Sequence, residues 1–247
     1  MKNPIPQYTQ ELKLPFIREH YQALATEAAQ ANQRHTQYLQ TLLEGESALR
    51  QDRRVARRIK AARFPTLKSL EEFDWSWPKK VPRAQIQELF GLAFLKDQAN
   101  VIFLGGVGLG KTHLALALGY TACLQGHRVL FATAVDIINT LAAAQKTHQL
   151  PRTLKRYLSP DILVIDELGY LPIDKAGADL LFQVISERYE RGSIVITTNE
   201  PFKKWPRIFG NDSTLASAVL DRLLHHAHPV TLTGRSYRMR GRLPDPE

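Results

Sequence analysis

The sequence predicts an α/β fold: a parallel sheet flanked by helices, preceded by a small all-helical module. Three observations predict it. Short runs of β-branched and apolar residues alternate with helix-like stretches after about residue 84, the signature of strands joined by crossover helices. Before that, from Leu14 to about Phe64, the only proline is Pro15 at the start and the only glycine is Gly45. Finally, a glycine-rich string, Gly105 to Thr112, lies where an apolar strand gives way to a helix. With 247 residues, 44% hydrophobic and 23% charged, the composition is that of an ordinary globular protein and excludes wholesale disorder or a collagen-like fibre.

The N-terminal part reads as a helical module over residues 1–64. Tyr38, Leu39, Leu42, Leu43, Ala48, Leu49, Val55, Ala56 and Ile59 recur at three- and four-residue steps, which lays one apolar stripe along a helix. Two helices, broken near Asn32 to His35, are expected. A linker follows over 65–83, where Pro65, Pro78 and Pro82 end helices and Phe73, Trp75 and Trp77 anchor the chain to the core.

Residues 84–247 form the core. Strands are expected at Val101 to Leu104, Arg128 to Ala132, Ile162 to Ile165, Ser193 to Thr197 and Pro229 to Leu232. Helices are expected at Thr112 to Gln125, Ala134 to Lys146, Ala176 to Arg191 and Leu215 to His226.

Gly105, Gly106, Val107, Gly108, Leu109, Gly110, Lys111 and Thr112 fit G-x-x-x-x-G-K-[ST] between a strand and a helix. Such a loop curls its backbone N–H groups around phosphate oxygens, and the following helix adds the positive end of its dipole. Lys111 then neutralises the β- and γ-phosphates, and Thr112 offers its hydroxyl to Mg²⁺. Asp166 and Glu167 end the third apolar run: Asp166 suits the metal shell and Glu167 suits activation of an attacking water. Asn199, closing Ile194 to Thr198, reaches the same sheet edge as a neutral amide able to contact that water or the γ-phosphate. No N-K-x-D guanine-reading tetrapeptide occurs, so ATP is expected over GTP.

The net charge of +9 points toward polyanions, nucleic acid or an anionic surface. Arg50, Arg53, Arg54, Arg57, Arg58, Lys60 and Arg63 stand against one acid, Asp52, and so supply a net six of those charges. This cluster is expected to meet DNA phosphates with little sequence preference. Lys146, Arg152, Lys155 and Arg156, on a basic loop-helix before the Asp166 strand, form a second candidate. Arg235, Arg238, Arg240 and Arg242 form a third basic run.

The single cysteine, Cys123, closes no intrachain disulfide and reads as a small buried hydrophobe in a reducing compartment. His225, His226 and His228 have no Cys or acid of suitable spacing beside them, and adjacent residues do not share a helix face, so no zinc site is expected there. No apolar stretch reaches the ~20 residues of a spanning helix, and the start lacks a secretory h-region. A cytoplasmic protein that makes no use of a membrane is the expectation.

Together, the phosphate loop, the Asp-Glu strand, the Thr-Thr-Asn strand, Asp221-Arg222 and Ser236-Tyr237-Arg238 resemble an AAA+ ATPase of the DnaA/DnaC clade. Within it, Lys60-Ala-Ala-Arg63-Phe-Pro65, Leu70-Glu-Glu-Phe73-Asp74-Trp75, Gly110-Lys-Thr-His113-Leu-Ala, Ile165-Asp-Glu-Leu-Gly-Tyr-Leu-Pro172 and Leu224-His225-His226-Ala-His228 resemble the IstB-like transposition helper ATPases. The resemblance implies an AAA+ core, ATP hydrolysis with Mg²⁺, a homo-oligomer with shared ATP sites on duplex DNA, and a transposase partner. It adds His113 to the nucleotide-binding string, makes Arg222 the finger reaching a neighbour's ATP, and makes Arg238 the arginine near the γ-phosphate of its own subunit. A DnaC-type helicase loader shares these residues, whereas a small-molecule kinase would not need the excess positive charge or an arginine from a neighbour.

Overall fold

Alternate side chains along five parallel strands feed two apolar layers in the computed structural model, which describes residues 3–77 and 81–239. Strands β1 (Asn100–Gly105), β2 (Val129–Thr133), β3 (Ile162–Leu168), β4 (Ser193–Thr198) and β5 (Ala227–Leu232) lie in the order β2-β3-β4-β1-β5. Ile102, Leu163, Ile165, Ile194 and Ile196 face one layer, while Val101, Phe103, Ile162, Val164 and Val195 face the other. Successive residues of a strand point to opposite faces, and a parallel sheet covered on both sides therefore reads as a continuous apolar run. This is why β1 to β4 were expected from the sequence; β5, at the sheet edge, buries only Val230 and Leu232 and reads as a shorter run, and all five starts lie within two residues of those expected.

Four helices connect these strands: α5 (Lys111–Leu124), α6 (Ala134–Lys146), α8 (Lys175–Arg188) and α10 (Ser213–His225), with α7 (Leu150–Leu158) and α9 (Trp205–Ile208) between them and α4 (Arg83–Leu89) before β1. Three begin on a side-chain cap: Thr133 Oγ1 accepts from Asp136 N (3.0 Å), Asp174 Oδ1 from Gly177 N (2.9 Å) and Asp212 Oδ1 from Leu215 N (2.9 Å). Such caps satisfy N–H groups that a helix leaves unpaired. Helix α5 has none, since its cap is Gly110.

The chain divides into two compact units, Met1–Arg57 and Arg58–Glu247. The first holds α1 (Ile5–Glu11), α2 (Pro15–Gln30) and α3 (His35–Ala62) as far as Arg57. The chain breaks between α2 and α3 at residues 31–34, where Asn32 takes φ 52°; α1 is a further helix that the sequence pattern did not reveal. Inside this unit Glu46, only 4% exposed, accepts from Phe16 N at 2.9 Å and so caps α2, while Arg50 Nε donates to it at 3.1 Å. Gly45 sits mid-helix because the Phe16 ring occupies the space a Cβ would need. In the second unit the end of α3 belongs to the core, with Ala62 fully buried and Ile59 and Phe64 packed beside it. Pro78, Arg240 and Arg242 lie outside the described residues.

One buried cation ties three elements. Arg188, 2% exposed, donates through Nη1 to the carbonyls of Tyr157 (2.9 Å) and Pro160 (3.0 Å), and through Nη2 to those of Asp161 (3.2 Å) and Ser193 (2.8 Å). Burial pulls its guanidinium down to about 10, with the Asp161 carboxylate opposing the shift. It remains charged at neutral pH and pins the end of α7 to the starts of β3 and β4. Arg188→Met should strip these carbonyls of their donor at about 1–3 kcal/mol for each buried group left unpaired. The melting temperature should then fall by several degrees, at about 2–4 °C per kcal/mol for a unit of this size, and an unchanged melting curve would contradict this role.

Candidate nucleotide-binding site

A cleft of about 440 Å³ opens where β1, β3 and β4 end, within the size range of small-molecule sites. Its floor is the glycine loop. Gly108 (φ 74°) and Gly110 (φ 89°) take left-handed conformations, and a Cβ on Gly108 would collide with Ser236, one on Gly110 with the Phe73 ring 2.6 Å away. Glycine is needed at both positions for conformation and for space together. Because Gly110 brings no capping side chain, the first N–H groups of α5 face the cleft without a side-chain acceptor, which is how a helix start receives phosphate. Lys111 Nζ donates to Gly106 O at 2.7 Å. Desolvation lowers the Lys111 ammonium below its ordinary value, the Asp166 carboxylate pulls it up, Arg238 pushes it down again and Glu167 adds a smaller upward pull.

The wall behind the loop is made by strand ends. Asp166, 4% exposed, accepts from Thr112 Oγ1 at 2.9 Å and from Thr197 Oγ1 by a short bond. In a regular strand Glu167 would point away from Asp166. Instead β3 is irregular against β4 between Ile165 and Leu168, Glu167 takes φ 59°, and its N–H donates to Thr197 Oγ1 at 2.9 Å. A bulge of this kind re-aims a side chain, and Glu167 lines the cleft beside Asn199.

Two further segments close the sides. The linker contributes Phe73, packed on Gly110 and 5.5 Å from the His113 ring, and Trp77, whose Nε1 donates to Arg235 O at 2.9 Å. His113 lines the cleft while its Nε2 contacts Ser69 O at 2.9 Å, so it also tethers the linker. From the other end, Tyr237 N donates to Gly108 O at 2.8 Å, and Tyr237 and Arg238 line the cleft.

Val107, Gly108, Leu109, Gly110, Lys111, Thr112, His113, Glu167, Asn199 and Arg238 thus meet at one place, with Gly105, Gly106 and Asp166 directly behind them. Sequence reasoning placed Thr197 and Tyr237 inside motifs but gave neither a role, although the Thr197 hydroxyl joins Asp166 to Glu167; Phe73 and Trp77 were expected as linker anchors, from their clustering between prolines, and not as cleft walls. Arg222 does not line this cleft. It stacks over the Phe182 ring at 5.0 Å and donates to Ala218 O at 3.0 Å.

The basic candidates separate into engaged and exposed groups. Arg50 Nη2 donates to Lys13 O at 2.9 Å in addition to its Glu46 bond. Arg58 is half-buried near Gly126 and Cys123, and its Nη1 has no partner among the described residues. Arg53, Arg54, Arg57, Lys60 and Arg63 are exposed, as are Lys146, Arg152 and Lys155, while Arg156 is half-buried over the Tyr157 ring. Helix α7 earns its strongly two-sided pattern by burying Leu154 and Tyr157 while turning Arg152 and Lys155 outward. Cys123 is buried, and burial pushes its thiol up to about 11. The expectation that no acid accompanies the histidines fails: Glu190, distant in sequence, lies 3.8 Å from His225 Nδ1 and 4.0 Å from His226 Nε2.

Fold and cleft define a P-loop nucleotide-binding protein with the DnaA/DnaC type of AAA+ core. The crystal structure of DnaI matches it with a TM-score of 0.57 at 17% identity, over 70% of this chain and 93% of that one. The replication initiator DnaA bound to AMPPCP and single-stranded DNA matches with a TM-score of 0.56 at 22% identity, over 68% and 50%. These likenesses are of fold. The IstB-like ATP binding protein family matches residues 7–244, and the chain belongs to that family. It is similar to the ATP-binding protein of insertion sequence IS5376 from Geobacillus stearothermophilus, 40% identical over 97% of this chain and 95% of that protein. It is also similar to the ATP-binding protein of insertion sequence IS21 from Pseudomonas aeruginosa, 41% identical over 93% and 86%. No helix among the described residues is long and apolar enough to cross a membrane.

Because Gly108 is hemmed in by Ser236, Gly108→Ala should weaken ATP binding by at least about tenfold, as a Cβ in a left-handed backbone is strained as well as crowded. Titration with a fluorescent ATP analogue checks this, and wild-type affinity would contradict the packing of the 235–238 segment on the loop.

Proposed function

We propose that this chain is a cytoplasmic, ATP-hydrolysing helper of DNA transposition that assembles as a homo-oligomer on duplex DNA and presents target DNA to a transposase. One observation carries the chemistry: Thr112 and Asp166, two hard oxygen donors 2.9 Å apart, stand behind the glycine loop while the bulge in β3 turns Glu167 into the same cleft. Oxygen donors of this kind suit Mg²⁺, which when bound with the nucleotide supplies positive charge against the phosphate oxygens. Lys111 and the α5 N–H groups hold the phosphates. Glu167 accepts the proton of the attacking water, Asn199 orients that water, and Arg238 faces the γ-phosphate. Arg222, outside its own cleft, serves a neighbour's ATP as charge develops in the transition state.

The insertion-sequence relatives at 40% and 41% identity favour transposition over helicase loading, since the DnaC helicase loader, at 21% identity, shares only the fold. In this reading residues 1–64 serve assembly and DNA contact, residues 65–83 link them to the core, and residues 84–247 hold ATP. Phosphates meet the exposed cations, Arg53, Arg54, Arg57, Lys60 and Arg63 together with Lys146, Arg152 and Lys155; Arg50, Arg58 and Arg156 contribute less because other contacts hold them.

Glu167→Gln should keep ATP binding and lose hydrolysis, because the amide preserves shape but takes no proton. Phosphate release and nucleotide affinity, measured on the same protein, check this; wild-type turnover would remove Glu167 from the mechanism. Reversing the charges of Arg53, Arg54 and Arg57 should abolish duplex binding, and salt should imitate the change. Several phosphate contacts imply a loss of about 10³ or more in affinity between roughly 50 and 200 mM salt, and a flat salt response would contradict them.

A further inference from the structure

Away from the nucleotide cleft, Glu190 in the turn after α8, His225 at the end of α10 and His226 beyond it bring one donor atom each to within 4.8 Å of one another. Adjacent residues of a helix point some 100° apart. Here His226 leaves the helix at φ −129° and ψ 93°, so its ring comes back beside that of His225, with 4.2 Å between centroids. Glu190 reaches both rings from a left-handed backbone position, φ 55°. The Tyr189 hydroxyl lies 2.9 Å from His225 Nδ1, the nitrogen that faces Glu190 at 3.8 Å; because a ligating imidazole is oriented through its other nitrogen, an ion bound at Nδ1 displaces this hydroxyl.

We infer that Glu190, His225 and His226 form a surface site for a borderline divalent transition metal, with Zn²⁺ the best match. Two imidazole nitrogens and one carboxylate oxygen are zinc donors, and they suit Mg²⁺ or Ca²⁺ poorly because those ions take oxygen. Donors at about 2.0–2.1 Å from zinc stand about 3.3–3.5 Å apart in a tetrahedron. All three side chains are exposed, so rotations of their own dihedrals close the gap, and water completes the shell. The histidines are also the chemical novelty of the Leu224-His225-His226-Ala-His228 string, for which the nucleotide cleft has no use.

The site joins the ends of α8 and α10. Arg222 lies one turn before it on α10 and stacks on Phe182 of α8, so a bound ion holds together the two helices between which that guanidinium is placed. Metal binding itself is independent of the nucleotide reading, and its failure would leave that reading intact.

The test uses the full chain without a histidine tag, stripped with EDTA and titrated with ZnCl₂ by calorimetry, with Co²⁺ absorption as a second readout. One ion per chain should bind at micromolar concentration or tighter, raise the melting temperature, and give the visible bands of tetrahedral Co²⁺. His225→Ala/His226→Ala and Glu190→Gln should each weaken binding tenfold or more and abolish the Co²⁺ bands, while the metal-free melting curve and ATP affinity stay as in the wild type. Absence of binding, or equal binding by the His225→Ala/His226→Ala protein, would overturn the assignment.

Discussion

The buried carboxylate of Asp166 is the constraint on which the site depends. A carboxylate in an apolar sheet is tolerable only when its oxygens are hydrogen-bonded, and here one oxygen receives hydroxyls from both Thr112 and Thr197. Those bonds fasten the first turn of α5 to the end of β3 and β3 to β4. Thr197 then passes the constraint on, since its hydroxyl oxygen also receives the N–H of Glu167. The position of Glu167 in the cleft, and with it the chemistry open to the site, follows from satisfying a single buried charge.

The glycine loop depends on the same junction from the other side. Thr112 fixes where α5 starts, and Gly110 and Gly108 give the loop a surface so low that neighbouring segments press directly on it, Phe73 from one side and Ser236 from the other. Residues 69–77 and 235–238, far apart in sequence, become walls of one cleft. The Trp77 and Tyr237 hydrogen bonds join these walls to each other and to the loop.

Much of this was legible in the chain. Strands β1 to β4 announce themselves because both faces of the sheet are buried there, whereas the edge strand β5 is half exposed; the glycine loop, Asp166, Glu167 and Asn199 follow from where β1, β3 and β4 end. Other features are set by tertiary contacts that no local pattern records. Helix α1 lies between short proline-containing stretches and has no apolar periodicity long enough to detect. The bulge at Glu167 exists to satisfy Thr197 and looks like an ordinary strand end in sequence. Arg50 and Arg58 belong to a basic run by composition, yet one caps a network with Glu46 and Lys13 and the other lies against Gly126. The Glu190 cluster escaped notice because His226 leaves its helix, which breaks the rule that adjacent side chains diverge.

In the proposed mechanism a neighbour's Arg222 completes each subunit's cleft. This is tested most directly by mixing two variants, Arg222→Ala and Lys111→Ala, on duplex DNA and measuring phosphate release. The first retains a cleft that holds ATP and the second retains the arginine, so each should be inactive alone while the mixture recovers part of the wild-type rate. A trans arginine can contribute about 10³–10⁵ in rate, which makes even partial recovery large against the background. If crosslinking demonstrates mixed assemblies and the mixture still releases no phosphate above either variant alone, the shared site is contradicted.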